Sequence, residues 1–216
     1  MTTTQEFKNY LISPGSVGST YLENLFGTCI KSVKTDYNAH ERNSNLAIFN
    51  NSKVCYIFGN PYDIVLSYFR RGFMILPYQH AGNMAGDVGV LRKTFHGGAL
   101  CWFDNKPVFG KHSWSLDEYL ELNNDPFKLE EHFLNWYRNP DRKYEIMFLK
   151  YETSNNHIKE LCTWFNIGEK YADKYQRKNR NSNYKNLNNT RLKKMQRLYG
   201  DFFDRVESLP DLIVDP

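Results

Sequence analysis

Residues 53–58, KVCYIF, form a nearly unbroken apolar run that Gly59-Asn60-Pro61 cuts short. A strand with one wet face alternates apolar and polar residues. A run without alternation belongs to a strand covered on both faces, as in a parallel sheet between helices. Pro61 suits the first turn of a helix, where its missing N–H would have no partner anyway, and the pattern carries that helix to about Arg71. The same order of strand, turn and helix occurs at residues 7–26, FKNYLISPGSVGSTYLENLF, where an apolar run ends at Ser13-Pro14 and helical spacing opens at Ser19-Thr20. Parallel neighbours need a crossover, usually a helix. Two such units therefore predict an α/β chain, a three-layer α/β/α arrangement around a central, mostly parallel sheet.

Between the first strand and the first helix lies Gly15-Ser16-Val17-Gly18-Ser19-Thr20-Tyr21. Glycines let the backbone bend around an anion with its N–H groups turned inward, and a helix N-terminus adds free donors and partial positive charge. The loop is a candidate phosphate cradle. Small residues with two glycines also make ordinary strand-to-helix turns, so the loop alone leaves both readings open.

The rest of the chain continues the alternation of elements. Residues 28–45 are polar and mixed, a connection with at most a short strand, and residues 46–49 fit a short strand or a helical turn equally well. Residues 72–110 have scattered glycines and no sustained period; an irregular insertion of that length is a candidate cover for a substrate pocket or a plain surface excursion. Ser115-Leu-Asp-Glu118 has the form of a capping box for a helix to about Leu122, and Asp125-Pro126 opens another that carries Leu129, Phe133 and Trp136. Residues 145–149, EIMFL, read as a third buried strand, and residues 157–165 as a helix. A polar, basic, Asn-rich stretch at 170–189 precedes a final helix at about 190–206 with one apolar stripe.

A chain of 216 residues suffices for one sizeable core, so 1–216 reads as a single domain. The net charge of +4, from 28 basic and 24 acidic residues, suits an anionic ligand without calling for nucleic acid. No apolar run approaches the roughly 18 residues that span a bilayer, and the N-terminal MTTTQEFKNY has no secretory apolar core, so the expectation is a soluble, cytoplasmic protein without a membrane partner. Cys29, Cys55, Cys101 and Cys162 are widely spread, which favours buried thiols over disulfides or zinc.

Taken together, these pieces resemble the sulfotransferases that use 3'-phosphoadenosine 5'-phosphosulfate (PAPS), a P-loop NTPase-like fold. That family's P-K-S-G-T-T-W loop looks like Gly15 to Tyr21 here, and its R-N-P-x-D-x-x-x-S signature looks like Gly59-Asn60-Pro61-Tyr62-Asp63-Ile64-Val65-Leu66-Ser67. FLKYETSNNHIKELCTWFNIG, at 148–168, is similar to the family's strand, Tyr-Glu and helix stretch, and RKNRNSNYK, at 177–185, to its R-K-G-x-x-G-x-W-K segment. The resemblance covers nearly the whole chain apart from 72–110. It implies a sulfuryl transfer from PAPS to a hydroxyl or amine of a small-molecule or carbohydrate acceptor, leaving 3'-phosphoadenosine 5'-phosphate and needing no metal.

The resemblance also implies roles. Gly15, Ser16, Val17, Gly18, Ser19 and Thr20 would hold the 5'-phosphosulfate, Ser67, Arg177 and Lys178 the 3'-phosphate, and Tyr21 and Tyr151 the adenine. A general base should take the acceptor's proton. His40 lies upstream of Gly59 at a fitting distance and titrates near neutrality, whereas Lys34-Thr35 resembles the family's Lys-Thr and would put Asp36 in that position. Two residues depart from the pattern: Ser16 stands where the loop's cation is expected, and Gly59 where the Arg of R-N-P is expected. Those losses fit a non-catalytic nucleotide-binding module of the same fold as the alternative. A P-loop kinase is further off, because G-x-x-x-x-G-K-[ST] is absent.

Overall fold

The computed structural model describes residues 8–30, 44–45, 47–70, 101–103, 106–108, 115–123, 125, 127–177 and 181–215, with only the backbone at 101–103 and 106–108. Strand β1 (Lys8–Ile12) leads through a loop into α1 (Ser19–Phe26), and β2 (Ser52–Phe58) leads directly into α2 (Pro61–Arg70). Two short strands, β3 (Cys101–Phe103) and β4 (Lys106–Val108), pair antiparallel with each other. Helices α3 (Leu116–Leu120) and α4 (Leu129–Tyr137) follow, then β5 (Glu145–Lys150), α5 (Ile158–Trp164), the long α6 (Asn189–Ser208) and β6 (Leu212–Asp215).

The main sheet has the order β1-β2-β5-β6, with β1, β2 and β5 parallel and β6 antiparallel to β5. Register puts Tyr10, Val54 and Ile146 in one row and Ile12, Tyr56 and Phe148 in the next, so these side chains share a face. That face is covered by α4: the Tyr56 ring packs against Phe133 and Trp136, and Phe133 reaches Phe202 on α6. The opposite face carries Asn9 and Lys53. Asn9 Nδ2 donates to the Cys29 and Phe165 carbonyls, and Lys53 Nζ to the Trp164 carbonyl at the end of α5. Helices therefore lie on both faces, which is why KVCYIF and EIMFL could not alternate. The chain is α/β, with a mostly parallel four-stranded sheet flanked by helices.

Local chemistry sets the helix starts. The Ser115 side chain accepts from the Glu118 N–H while Glu118 Oε2 accepts from the Ser115 N–H, the capping box at α3. Asp125 accepts from the N–H groups of Phe127 and Leu129 ahead of α4, and its carboxylate also takes the Tyr199 hydroxyl from α6. Asn60 caps α2, with Oδ1 accepting from the Tyr62 and Asp63 N–H groups at 3.0 and 3.3 Å.

Two features differ from the sequence reading, and one open alternative is decided. Strand β6 was not expected. It is short and half-buried at the sheet edge, so it leaves a weak apolar signal. The stretch 72–110 is not wholly irregular, since it holds β3 and β4. Residues 46–49, readable either as strand or helical turn, contain the 3-10 turn Ala47–Phe49, whose Phe49 ring packs against Tyr10 and Trp136. Cys55 and Cys162 are buried thiols and Cys29 a half-buried one. No helix among the described residues is long and apolar enough to cross a membrane.

Candidate functional site

Because β1, β2 and β5 run parallel, their carboxyl ends meet along one edge, the place where open α/β sheets seat ligands. From β1 emerges the glycine loop, from β2 the Gly59-Asn60 turn, and from β5 a 3-10 segment (Tyr151–Asn156).

In the loop, the Ser13 hydroxyl accepts from the Gly15 N–H at 3.2 Å and donates to Ser19 Oγ at 2.9 Å, so the two ends of the turn are tied together. Gly15 and Ser16 have φ 99° and 57° and Gly18 φ 76°, with Val17 at negative φ, so the sign alternates from Ser16 to Gly18. Alternation of that kind makes successive N–H groups converge into an anion-binding nest. The Gly18 carbonyl accepts from Tyr21 and Leu22, which starts α1, and no partner among the described residues takes the N–H groups of Ser16, Val17, Gly18, Ser19 or Thr20. Val17 turns its side chain into the core, and Thr20 is exposed. The Ser16 Oγ is buried and has no hydrogen-bond partner among the described residues. A buried hydroxyl in that state calls for a ligand or water. The loop is braced from α2, whose Tyr68 hydroxyl donates to the Pro14 carbonyl.

Tyr151 comes against this loop from β5. A Cβ added to Gly18 would sit 2.6 Å from Tyr151 Cε2, so the ring occupies the place that any other side chain would need. Tyr151 is 7% exposed, and the Arg177 guanidinium lies over its ring at 5.6 Å. Arg177 is anchored by its own N–H, which donates to Asn155 Oδ1 at 2.9 Å, yet its buried Nε has no hydrogen-bond partner among the described residues. Beside it, the Tyr21 hydroxyl donates to the Lys174 carbonyl, and the Tyr21 ring lies 5.7 Å from that of Tyr175. Burial pushes the Tyr175 hydroxyl up to about 12 against the opposing pull of its hydrogen bond with Ser154 Oγ at 2.7 Å.

The second half of the edge is built on α2. Ser67 lies on that helix, 3% exposed. The Asn-rich stretch runs alongside: the Tyr184 N–H donates to Asp63 Oδ1 at 2.8 Å, and the exposed Arg70 donates from Nε to Ser182 Oγ at 3.0 Å. Glu152 joins the two strand ends by accepting from the Asn60 N–H at 3.1 Å.

The structure therefore brings Gly15 to Tyr21, Tyr151 and Arg177 together, with Ser67 on the neighbouring helix. Asp36, His40 and Lys178 lie outside the described residues. Tyr68, Asn155 and Tyr175 also border the loop and its neighbours and were not singled out from sequence, while Asn60 and Glu152 stood in the quoted signatures without a role of their own. Asn60 had a signal, an Asn before the Pro of a helix start; Asn155 and Tyr175 had none, since their partners are set by the fold. A separate cavity of about 480 Å³ has Asn45, Asn135, Arg138 and Asn139 in its wall. Its polar groups already bind one another, as where Asn139 Nδ2 donates to Ser44 Oγ and Asn45 Oδ1, so it lacks the unpartnered atoms of the loop. Among the described residues no group of three His, Cys, Asp or Glu side chains is placed to hold a metal ion.

Comparison with protein-family models, with curated proteins and with solved structures gave no match.

Proposed function

We propose that this protein binds PAPS at the carboxyl edge of its sheet and acts as a sulfotransferase on a hydroxyl or amine of a small-molecule or carbohydrate acceptor. The observation that carries the reading is the glycine loop itself, whose Ser16 to Thr20 N–H groups and buried Ser16 Oγ find no partner among the described residues, packed at Gly18 against the Tyr151 ring that carries the Arg177 guanidinium. That donor set is suited to a dense oxyanion and offers little to a neutral ligand. The three-layer, P-loop-like sulfotransferase fold is part of the same proposal, supported by helices on both faces and by the order of the loop, the Asn60-Pro61 turn and Tyr151 along the chain.

PAPS supplies an activated sulfuryl group when bound. The chain's own task is to fix it in line with an acceptor and to stabilise charge on its oxygens. The N–H groups of Ser16 to Thr20 would hold the 5' end, and Ser67 with the Asn-rich stretch along α2 the 3' end. Tyr151 would shield the loop from water. His40 or Asp36 would take the acceptor's proton.

Gly59 and Ser16 favour one second reading, a nucleotide-binding module without transferase activity, since both positions lack a cation. Calorimetry with 3'-phosphoadenosine 5'-phosphate against magnesium ATP tests the nucleotide site: binding of the former alone is expected, and no binding of it overturns both readings. A radiolabelled sulfate-transfer assay over sugars, phenols and alkyl alcohols then separates enzyme from module. In the enzyme, Ala at His40 or at Asp36 should abolish transfer with nucleotide binding kept; transfer surviving in both variants excludes the two bases.

A further inference from the structure

The resemblance would assign Arg177 to the 3'-phosphate, but its surroundings give it another task. The Tyr151 ring touches the glycine loop at Gly18 and carries the Arg177 guanidinium over it at 5.6 Å. Both the loop and the guanidinium thus contact the same aromatic ring. In that loop the cation position is filled by Ser16, whose Oγ is buried without a partner. Arg177 has the matching deficit: among the described residues its buried Nε has no hydrogen-bond partner and no carboxylate pairs with it. The Asn155 side chain holds its backbone N–H, so the side chain departs from a fixed point. Ser67, by contrast, lies on α2, and among the described residues α2 meets the basic stretch at Ser182 and Tyr184, both further along the chain than Arg177.

We propose that Arg177 is the cation of the glycine loop, binding the 5'-terminal anion of the nucleotide in place of the basic residue that Ser16 lacks. The inference rests on the nucleotide-binding reading above. A planar fork reaching in from a separate segment can engage two oxygens of one phosphate or sulfate, and a neutral loop then needs no lysine of its own.

The test is the affinity of wild-type protein and Arg177→Gln for three probes: adenosine 3',5'-bisphosphate, adenosine 5'-monophosphate and adenosine 3'-monophosphate. The expected result is a loss of roughly 10- to 100-fold, the same for the two probes that carry a 5'-phosphate, with no change for the 3'-monophosphate. A loss confined to the two 3'-phosphorylated probes overturns the proposal, as does no loss with any of them. If the wild-type chain binds none of the three, the nucleotide reading itself has failed, a result distinct from either of these. Thermal melting of each variant reports its fold. Should Arg177→Gln not fold, Arg177→Lys carries the same comparison, with a smaller loss shared by the two 5'-phosphates, because the charge stays while the fork is gone.

Discussion

Gly18 is constrained twice. Its φ of 76° lies where an L side chain is strained, and its missing Cβ is the space in which the Tyr151 ring edge sits, 2.6 Å from where that atom would be. Left-handed backbone costs about 1 kcal/mol or more for a residue with a Cβ, and overpacking against a buried ring costs about 1–3 kcal/mol further. Gly18→Ala should therefore lower unfolding free energy by roughly 2–4 kcal/mol in urea melts. Combining it with Tyr151→Leu should return part of that loss, because the shorter side chain vacates the Cβ site. Equal destabilisation by Gly18→Ala in both backgrounds would show that the ring is not what demands glycine. The two glycines of the loop were legible in the sequence; the partner that explains Gly18 was not. A contact between residues so distant along the chain is fixed by the parallel order of β1, β2 and β5, and periodicity carries no such information. Arg177 and Asn155 were opaque for the same reason.

At the scale of the element, α2 is the strut of the site. Its start is set by Asn60, its side reaches the loop through Tyr68 and Pro14, and its far end meets the Asn-rich stretch through Arg70 and Ser182. The helix was readable in advance because Asn-Pro after an apolar run is a complete start signal and does not depend on distant partners. The strands β1, β2 and β5 were readable because both their faces are buried. β6 and the β3–β4 pair were not, since strands that short present too few residues for a period to register. Replacing Asn60 by Ala removes the acceptor for the Tyr62 and Asp63 N–H groups at a buried helix start and should cost about 0.5–2 kcal/mol. The urea midpoint should fall with its slope unchanged, whereas Asn60→Asp, which keeps the accepting oxygen, should hold most of it. An Ala variant as stable as the parent would mean that Glu152, accepting from the Asn60 N–H, fixes the turn alone.

The whole molecule is joined by buried tyrosines, and this gives its stability a dependence on alkaline pH. Tyr62 on α2 packs against Phe203 on α6, and burial, with Asp204 and Tyr184 adding to it, pushes its hydroxyl up to about 12. Burial likewise pushes Tyr175 up to about 12, and it raises Tyr199 well above its ordinary value, where Asp125 and Tyr119 add to the effect. In the unfolded chain these groups ionise near pH 10, so below that value both states hold the proton and the groups add no pH dependence. Between about pH 10 and pH 12 the unfolded chain gives up protons that the folded chain retains, and stability falls as pH rises through that window. The buried thiol of Cys55, also pushed up by burial, acts in the same direction. Tyrosinate absorbance followed beside far-ultraviolet circular dichroism separates the two populations. Exposed tyrosines should titrate near pH 10 with the fold intact, and the buried set should ionise only together with loss of helix signal. A single smooth titration near pH 10 that leaves the circular dichroism unchanged would mean that Tyr62, Tyr175 and Tyr199 are open to solvent in the folded protein, and that α2 and α6 are held together without the sealed ring contacts that now join them.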